Sequence, residues 1–195
     1  VATGENGLTA LPHRIDEART AIDEAIAYAS AIGCTSVHVM AGFASGTDAH
    51  QTFVENLRYA CAQASTQGIT ILIEPLNKYD APGYFLTTTA QAVQITQEVA
   101  ASNLKLMFDC YHVQLMEGDL THKLADLLPH IGHIQFASVP DRGTPDKGEV
   151  NYDHIFDVIA SLGYKAPLGA EYKPQAPTDD TLDWLRARQS RRQPH

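Results

Sequence analysis

The sequence predicts an α/β fold built on a parallel sheet, and three observations carry that expectation. Strand-like and helix-like segments alternate with a spacing of roughly 30 to 36 residues, the size of one βα unit. Five short runs of β-branched and apolar residues have the length and composition of buried strands. No run is joined to the next by a hairpin signal, so the connections cross over and the strands lie parallel.

The strand-like runs are 36–40, 69–73, 104–108, 131–136 and 167–170. Helical spacing fills the intervals. Residues 14–31 place Ile15, Ala18, Ile22, Ala25, Ile26 and Ala29 on one face and stop at Gly33. Residues 48–67 align Phe53, Leu57, Cys61 and Ala64 and stop at Gly68. Residues 88–101 carry Val93 and Val99 within helical reach, and 119–128 use Leu120, Leu124 and Leu127 before Pro129. Residues 153–162 use Ile155, Val158 and Ile159 before Gly163, and 178–188 use Leu182 and Leu185.

An open doubly wound sheet that binds a nucleotide calls for a glycine-rich turn after its first strand. None of these strands is followed by GxGxxG or GxxxxGK[ST]. The alternative is a (β/α)8 barrel, which takes about 250 residues and eight strands. Five strands in 195 residues then read as a single partial barrel domain over 1–195, lacking the first three strands of the closed form. After Trp184 the apolar periodicity is lost, and 186–195 are expected to fray.

Composition bounds the function. Fourteen Lys and Arg against 23 Asp and Glu give a net charge of −9, which argues against nucleic acid as a partner. The apolar runs fall far short of the roughly 20 residues that a membrane-spanning helix needs. Cys34, Cys61 and Cys110 are odd in number and form no CxxC pair, so a reduced, cytoplasmic enzyme acting on a small molecule is expected.

The chemistry is read at the strand ends. The runs lead into Glu74, Asp109, Gln135 and Glu171, so four successive strands each deliver an oxygen-bearing side chain at the carboxyl end. In a barrel that end is the catalytic face. Any one of the three carboxylates, taken alone, is as well explained by a helix cap or an ion pair. Three together repel one another unless a cation or protons offset the charge. Oxygen donors suit a hard divalent ion, Mg²⁺ or Mn²⁺. His112, three residues beyond Asp109, stands where a substrate hydroxyl or carbonyl would lie. His133 shares the inward parity of Gln135 one layer deeper and reads as a core histidine. Cys110 beside Asp109 has no means of lowering its pKa and is not a nucleophile. The loop over 140–152 belongs to the same face, and its Arg142 is the candidate to grip a carboxylate, with Lys78 and Lys173 in reserve.

The motifs Ile73-Glu-Pro-Leu-Asn77 with Pro82-Gly-Tyr-Phe-Leu86, Met107-Phe-Asp-Cys-Tyr-His112, His133-Ile-Gln-Phe-Ala137 and Gly169-Ala-Glu-Tyr-Lys-Pro174 occur in order and span nearly the whole chain. This set resembles the hydroxypyruvate isomerase family, which includes the 2-oxotetronate isomerases and belongs to the xylose-isomerase-like TIM barrels. The resemblance implies a (β/α)8 barrel and a divalent metal held by Glu74, Asp109, Gln135 and Glu171. It also implies that Glu74 and Glu171 act as the acid/base pair, with an enediolate between hydroxypyruvate and tartronate semialdehyde, or in 2-oxotetronate. In related sugar epimerases the third position is usually His, so Gln135 fits the hydroxypyruvate isomerase branch. The loop departs from the family pattern at Gly143-Thr144, where His or Asn and then Glu usually follow the Arg. The rival readings are a C3-epimerase of a neutral ketose using the same metal, an endonuclease for damaged DNA, and a barrel without activity. Open sheet edges make pairing with another copy one expected way of covering them.

Overall fold

The computed structural model describes residues 5–191. Five parallel strands stand in chain order: β1 (Ser36–His38), β2 (Thr70–Ile73), β3 (Leu104–Asp109), β4 (Ile131–Phe136) and β5 (Leu168–Ala170). The covering helices are α1 (Ile15–Ile32), α2 (Gly46–Ser65), α3 (Thr89–Val99), α4 (Cys110–Met116), α5 (Leu120–Leu127), α6 (Tyr152–Ser161) and α7 (Asp183–Arg191). The expected order of elements is met, and the sheet is a half-barrel whose described edges are β1 and β5.

Three local differences have physical reasons. α4 follows β3 with no intervening loop, because the Oδ1 of Asp109 accepts the backbone N–H of Tyr111 at 2.9 Å and caps the helix from the strand's last residue. Seven residues are too few for an apolar period to reveal such a helix. The segment expected as one helix over 178–188 is a 3₁₀ turn (Thr178–Thr181) followed by α7. The tail expected to fray is helical as far as Arg191, and Arg188 is the reason: its guanidinium pairs with Asp153 at 2.6 Å and Asp157 at 3.2 Å and lies over the Phe156 ring. Residues 192–195 of that expected tail lie outside the described residues.

The two faces of the sheet have different fates, set by the period of two along each strand. Ile71, Ile73, Leu106, Phe108, Ile134 and Phe136 point outward and merge with Phe53, Leu57 and Ile95 of the helices into one apolar core. Burying each such side chain stabilises the fold by about 1.5–3 kcal/mol. Leu72, Lys105, Met107, His133 and Gln135 take the opposite parity and face the barrel interior. Two glycines keep that interior passable. A Cβ on Gly132 would come within 2.6 Å of the Lys105 Cβ, and one on Gly169 within 2.9 Å of His133 Nε2 and 3.1 Å of Gln135 Cγ. Glycine at 169 therefore leaves the space that the Gln135 side chain occupies.

Glu117 ties three helices at the carboxyl end. Its carboxylate accepts the Thr89 N–H and hydroxyl at the start of α3 and the Lys123 ammonium of α5, each at 2.8 Å. Burial pushes this carboxyl up, but the Lys123 and Thr89 bonds outweigh it and hold it below the ordinary range. The stabilisation is accordingly full above the unfolded pKa of about 4.3 and is lost as pH falls through the lower folded value. Glu117→Ala is expected to cost about 2 kcal/mol at pH 7 in urea titrations, a difference from wild type that shrinks below about pH 4.

Candidate active site

Strand parity that sends the apolar side chains outward sends His38, Glu74, Asp109, Gln135 and Glu171 inward, at or just past the ends of five neighbouring strands. The ladder places them at one level: Asp109 is the register partner of Gln135, and the Glu171 N–H bonds the carbonyl of Phe136 at 3.0 Å. Glu74 and Asp109 are both buried.

Glu74, Asp109 and His112 each present a ligand-type atom within 4.8 Å of the others. His112 Nε2 is 4.0 Å from Glu74 Oε1 and 3.7 Å from Asp109 Oδ2. The electrostatics of this cluster are unfavourable as it stands. Burial pushes the Glu74 carboxyl well above its ordinary value, and the charges of Asp109 and Glu171 push it further. Burial raises Asp109 to about 7, against the opposing Tyr111 N–H and Arg142 charge. Burial, then the nearby Arg142, brings His112 down to about 4.

Among the described residues, three buried oxygens in this layer have no hydrogen-bond donor, Glu74 Oε1, Asp109 Oδ2 and Gln135 Oε1, and the ring nitrogen His38 Nε2 is likewise without a partner. Leaving such an atom unmatched costs about 1–3 kcal/mol, more when it is charged. Asp109 divides its two oxygens between tasks, Oδ1 capping α4 and Oδ2 facing the cluster. Two carboxylate oxygens and an amide oxygen at neighbouring strand ends, all without donors, have the chemistry of a hard-cation site.

Glu171 stands apart from the three. Its side chain is 50% exposed and its Oε2 lies 2.7 Å from Arg142 Nη2. The four-ligand gathering expected from the strand ends is thus incomplete: Glu74, Asp109 and Gln135 present free oxygens, while Arg142 holds the fourth side chain. Arg142 also lies 3.8 Å from Asp80 and 3.9 Å from Asp109 Oδ2, with its guanidinium over the Tyr111 ring. Its backbone is left-handed (φ 53°), a conformation that costs a non-glycine residue on the order of 1–3 kcal/mol. The loop holds it there through Arg142 N–H to Ser138 O and Gly143 N–H to Ser138 Oγ, both 2.9 Å. Lys173 is exposed, and its charge is felt at Asp80. His133 is half-buried, and burial lowers its pKa. Cys110 is fully buried, with its pKa raised well above the ordinary thiol value, first by burial and then by Asp109.

Sequence reasoning missed His38, Asn77 and Asp80. His38 ends β1 with Nδ1 at 3.7 Å from Glu74 Oε2, and its parity with the other strand ends was the available signal. Asn77 and Asp80 follow Glu74 in a turn where Asn77 Oδ1 accepts the N–H of Tyr79 at 3.0 Å and of Asp80 at 2.9 Å. An Asn three residues past a strand end announces that turn, but not what its amide nitrogen faces.

A half-barrel of consecutive parallel strands with acids gathered at their carboxyl ends defines a class, the xylose isomerase-like TIM barrel, and the model of that family matches residues 2–188. The chain is 47% identical over 189 residues to a 2-oxo-tetronate isomerase of Cupriavidus necator, covering 95% of this chain and 73% of that protein. It is 43% identical over 189 residues to the hydroxypyruvate isomerase of Escherichia coli, covering 94% and 73%. A crystal structure from Brucella melitensis, titled AP endonuclease family 2, superposes with a TM-score of 0.91 at 40% identity over 95% of this chain and 73% of that one. The chain belongs to the hydroxypyruvate isomerase and 2-oxo-tetronate isomerase family within the xylose isomerase-like TIM barrels, and it is an isomerase. Among the described residues, no helix is long and apolar enough to cross a membrane.

Proposed function

We propose that the chain is a divalent-metal-dependent aldose–ketose isomerase of a short hydroxy-oxo acid, converting hydroxypyruvate to tartronate semialdehyde or acting on 2-oxotetronate. The observation that carries this reading is the set of three donorless buried oxygens, Glu74 Oε1, Asp109 Oδ2 and Gln135 Oε1, in one layer at the strand ends. Glu74, Asp109, Gln135 and Glu171 would hold the ion, and an all-oxygen set favours Mg²⁺ or Mn²⁺. When bound, the ion supplies charge stabilisation to the substrate oxygens as negative charge develops there.

The chain's own residues do the rest. One of Glu74 and Glu171 takes the proton from the hydroxyl-bearing carbon, leaving its electron pair in the enediolate of the substrate. The other, protonated at the outset, gives its proton to the neighbouring carbon, and the hydroxyl proton passes from the first carbon's oxygen to the former carbonyl oxygen, so the carbonyl moves by one position and no redox partner is consumed. The direction of reaction decides which glutamate acts first. His112 contacts a substrate hydroxyl or carbonyl. Arg142 binds the substrate carboxylate, with Lys173 adding positive charge nearby. A carboxylate arriving at Arg142 competes with Glu171 for the same guanidinium, so substrate binding and release of Glu171 toward the cluster are coupled.

The test is a panel of hydroxy-oxo acids and neutral ketoses followed by NMR in D₂O with Mg²⁺ or Mn²⁺. Interconversion of an oxo-acid, with solvent deuterium entering at carbon, is expected; no turnover of any oxo-acid would remove the proposal. Arg142→Ala is expected to weaken kcat/KM for the anionic substrate by roughly 10- to 100-fold, the worth of a charge-assisted bidentate contact. Any slow reaction with a neutral ketose is expected to be spared. Equal losses on both would favour the C3-epimerase alternative, which needs the metal and glutamates but no carboxylate clamp.

A further inference from the structure

His112 lies close enough to Glu74 and Asp109 to be counted as a third ligand of any ion held there. The hydrogen bonding on the other side of its ring argues otherwise. The backbone N–H of Asn77 points at His112 Nδ1 at 3.0 Å, and Asn77 Nδ2 lies 2.7 Å from the same atom. A backbone N–H can only donate, so Nδ1 must accept. The amide cannot be turned the other way. Its Oδ1 is committed to the N–H groups of Tyr79 and Asp80, and Nδ2 also reaches Asp80 Oδ2 at 3.0 Å. Asp80 is itself steadied by the Tyr111 hydroxyl at 2.8 Å. Two donors therefore converge on one ring nitrogen, and both are held by a turn.

We infer that Asn77 is a positioning residue that locks His112 as the Nε2–H tautomer, making its Nε2 a hydrogen-bond donor to a substrate oxygen and removing it from the metal's ligands. A neutral imidazole carries one ring proton, and with Nδ1 accepting, that proton sits on Nε2. A nitrogen bearing a proton has no in-plane lone pair left for a cation. Asp109 Oδ2 and Glu74 Oε1, at 3.7 and 4.0 Å, are beyond hydrogen-bond reach of Nε2. The donor is thus unspent, and it is aimed into the carboxylate cluster where the substrate oxygens would lie. The assignment itself rests on geometry alone; its consequence for turnover rests on the isomerase reading.

The experiment reads the tautomer directly, without substrate. Long-range ¹H–¹⁵N spectra of the ¹⁵N-labelled chain, with the His112 signals assigned through their loss in His112→Gln, should show a neutral ring protonated at Nε2. Saturating Mg²⁺ should leave that proton in place. In Asn77→Asp, an oxygen replaces the donor nitrogen while the Oδ1 turn and the backbone N–H at Nδ1 are kept, so an acceptor now competes with that N–H and the Nε2–H form is expected to lose population to a ring protonated at Nδ1. If the isomerase reading holds, kcat should fall roughly 10- to 100-fold. The Asn77→Asp/Asp80→Asn double variant restores a donor–acceptor pair between the two positions. It should recover any loss in melting temperature without recovering the tautomer. A wild-type ring protonated at Nδ1, loss of the Nε2 proton on adding Mg²⁺, or an Nε2–H population in either variant equal to that of the wild type would overturn the inference. The expected spectra in a chain that turns over no oxo-acid would leave the tautomer standing and remove the isomerase proposal alone.

Discussion

Glu74→Gln is expected to lower turnover of the hydroxy-oxo acid by about 10²–10⁴-fold, the usual worth of a general acid/base group, without unfolding the chain. The substitution is nearly isosteric and exchanges a proton-accepting carboxylate for an amide that cannot accept one. It also removes a buried charge that faces Asp109 with Oε1 unmatched. The melting temperature of the metal-free variant is therefore expected to equal or exceed that of the metal-free wild type, because the amide replaces a carboxyl whose ionisation is opposed first by burial and then by the Asp109 charge. Deuterium incorporation into substrate, followed by NMR, separates loss of chemistry from loss of structure. Near-normal exchange in this variant would falsify the acid/base assignment. Glu171→Gln is expected to lose turnover as well, but its half-exposed carboxylate has no such apo-state strain to relieve.

Exhaustive chelation is the second expected large effect. Removal of divalent ions should abolish turnover and lower the melting temperature, and Mg²⁺ or Mn²⁺ should restore both. The thermal effect follows from linkage: an ion at 100 times its dissociation constant stabilises the folded state by about 2.7 kcal/mol. The physical source is on the site's own surface, where three buried oxygens lack donors and two carboxyls are raised out of their ordinary range. Calorimetric titration should give one tight site, weakened strongly in Asp109→Asn and less so in Gln135→Ala, whose neutral amide brings no charge. Full activity and unchanged melting after chelation would show that the strand-end acids serve some purpose other than binding a cation.

Much of the fold was legible because strand and helix periods are local. β4 occupies its expected range, and β2, β3 and β5 begin or end within one residue of theirs. β1 stops two residues early, at His38. α4 was not legible, since a seven-residue helix capped from within a strand leaves no apolar period to find. The helical continuation past residue 188 was not legible for a related reason: α7 is anchored by Arg188 to two aspartates on α6, a contact across more than 30 residues that periodicity cannot register.

At the site, the sequence alone determined which side chains stand at strand ends and which face they take, because a period of two is a property of each strand by itself. That was enough to single out Glu74, Asp109, Gln135 and Glu171, and to place His112 and Arg142 beside them. Tertiary structure decided who touches whom. It put His112 against Asn77, 35 residues away, and tied Glu171 to Arg142 rather than to the other acids. It also left Asp109 with one oxygen spent on a helix cap and the other free. Such pairings depend on register between strands, the path of a loop and a single left-handed backbone angle at Arg142. Each of these sums over many residues, so none leaves a pattern in the neighbouring letters of the chain.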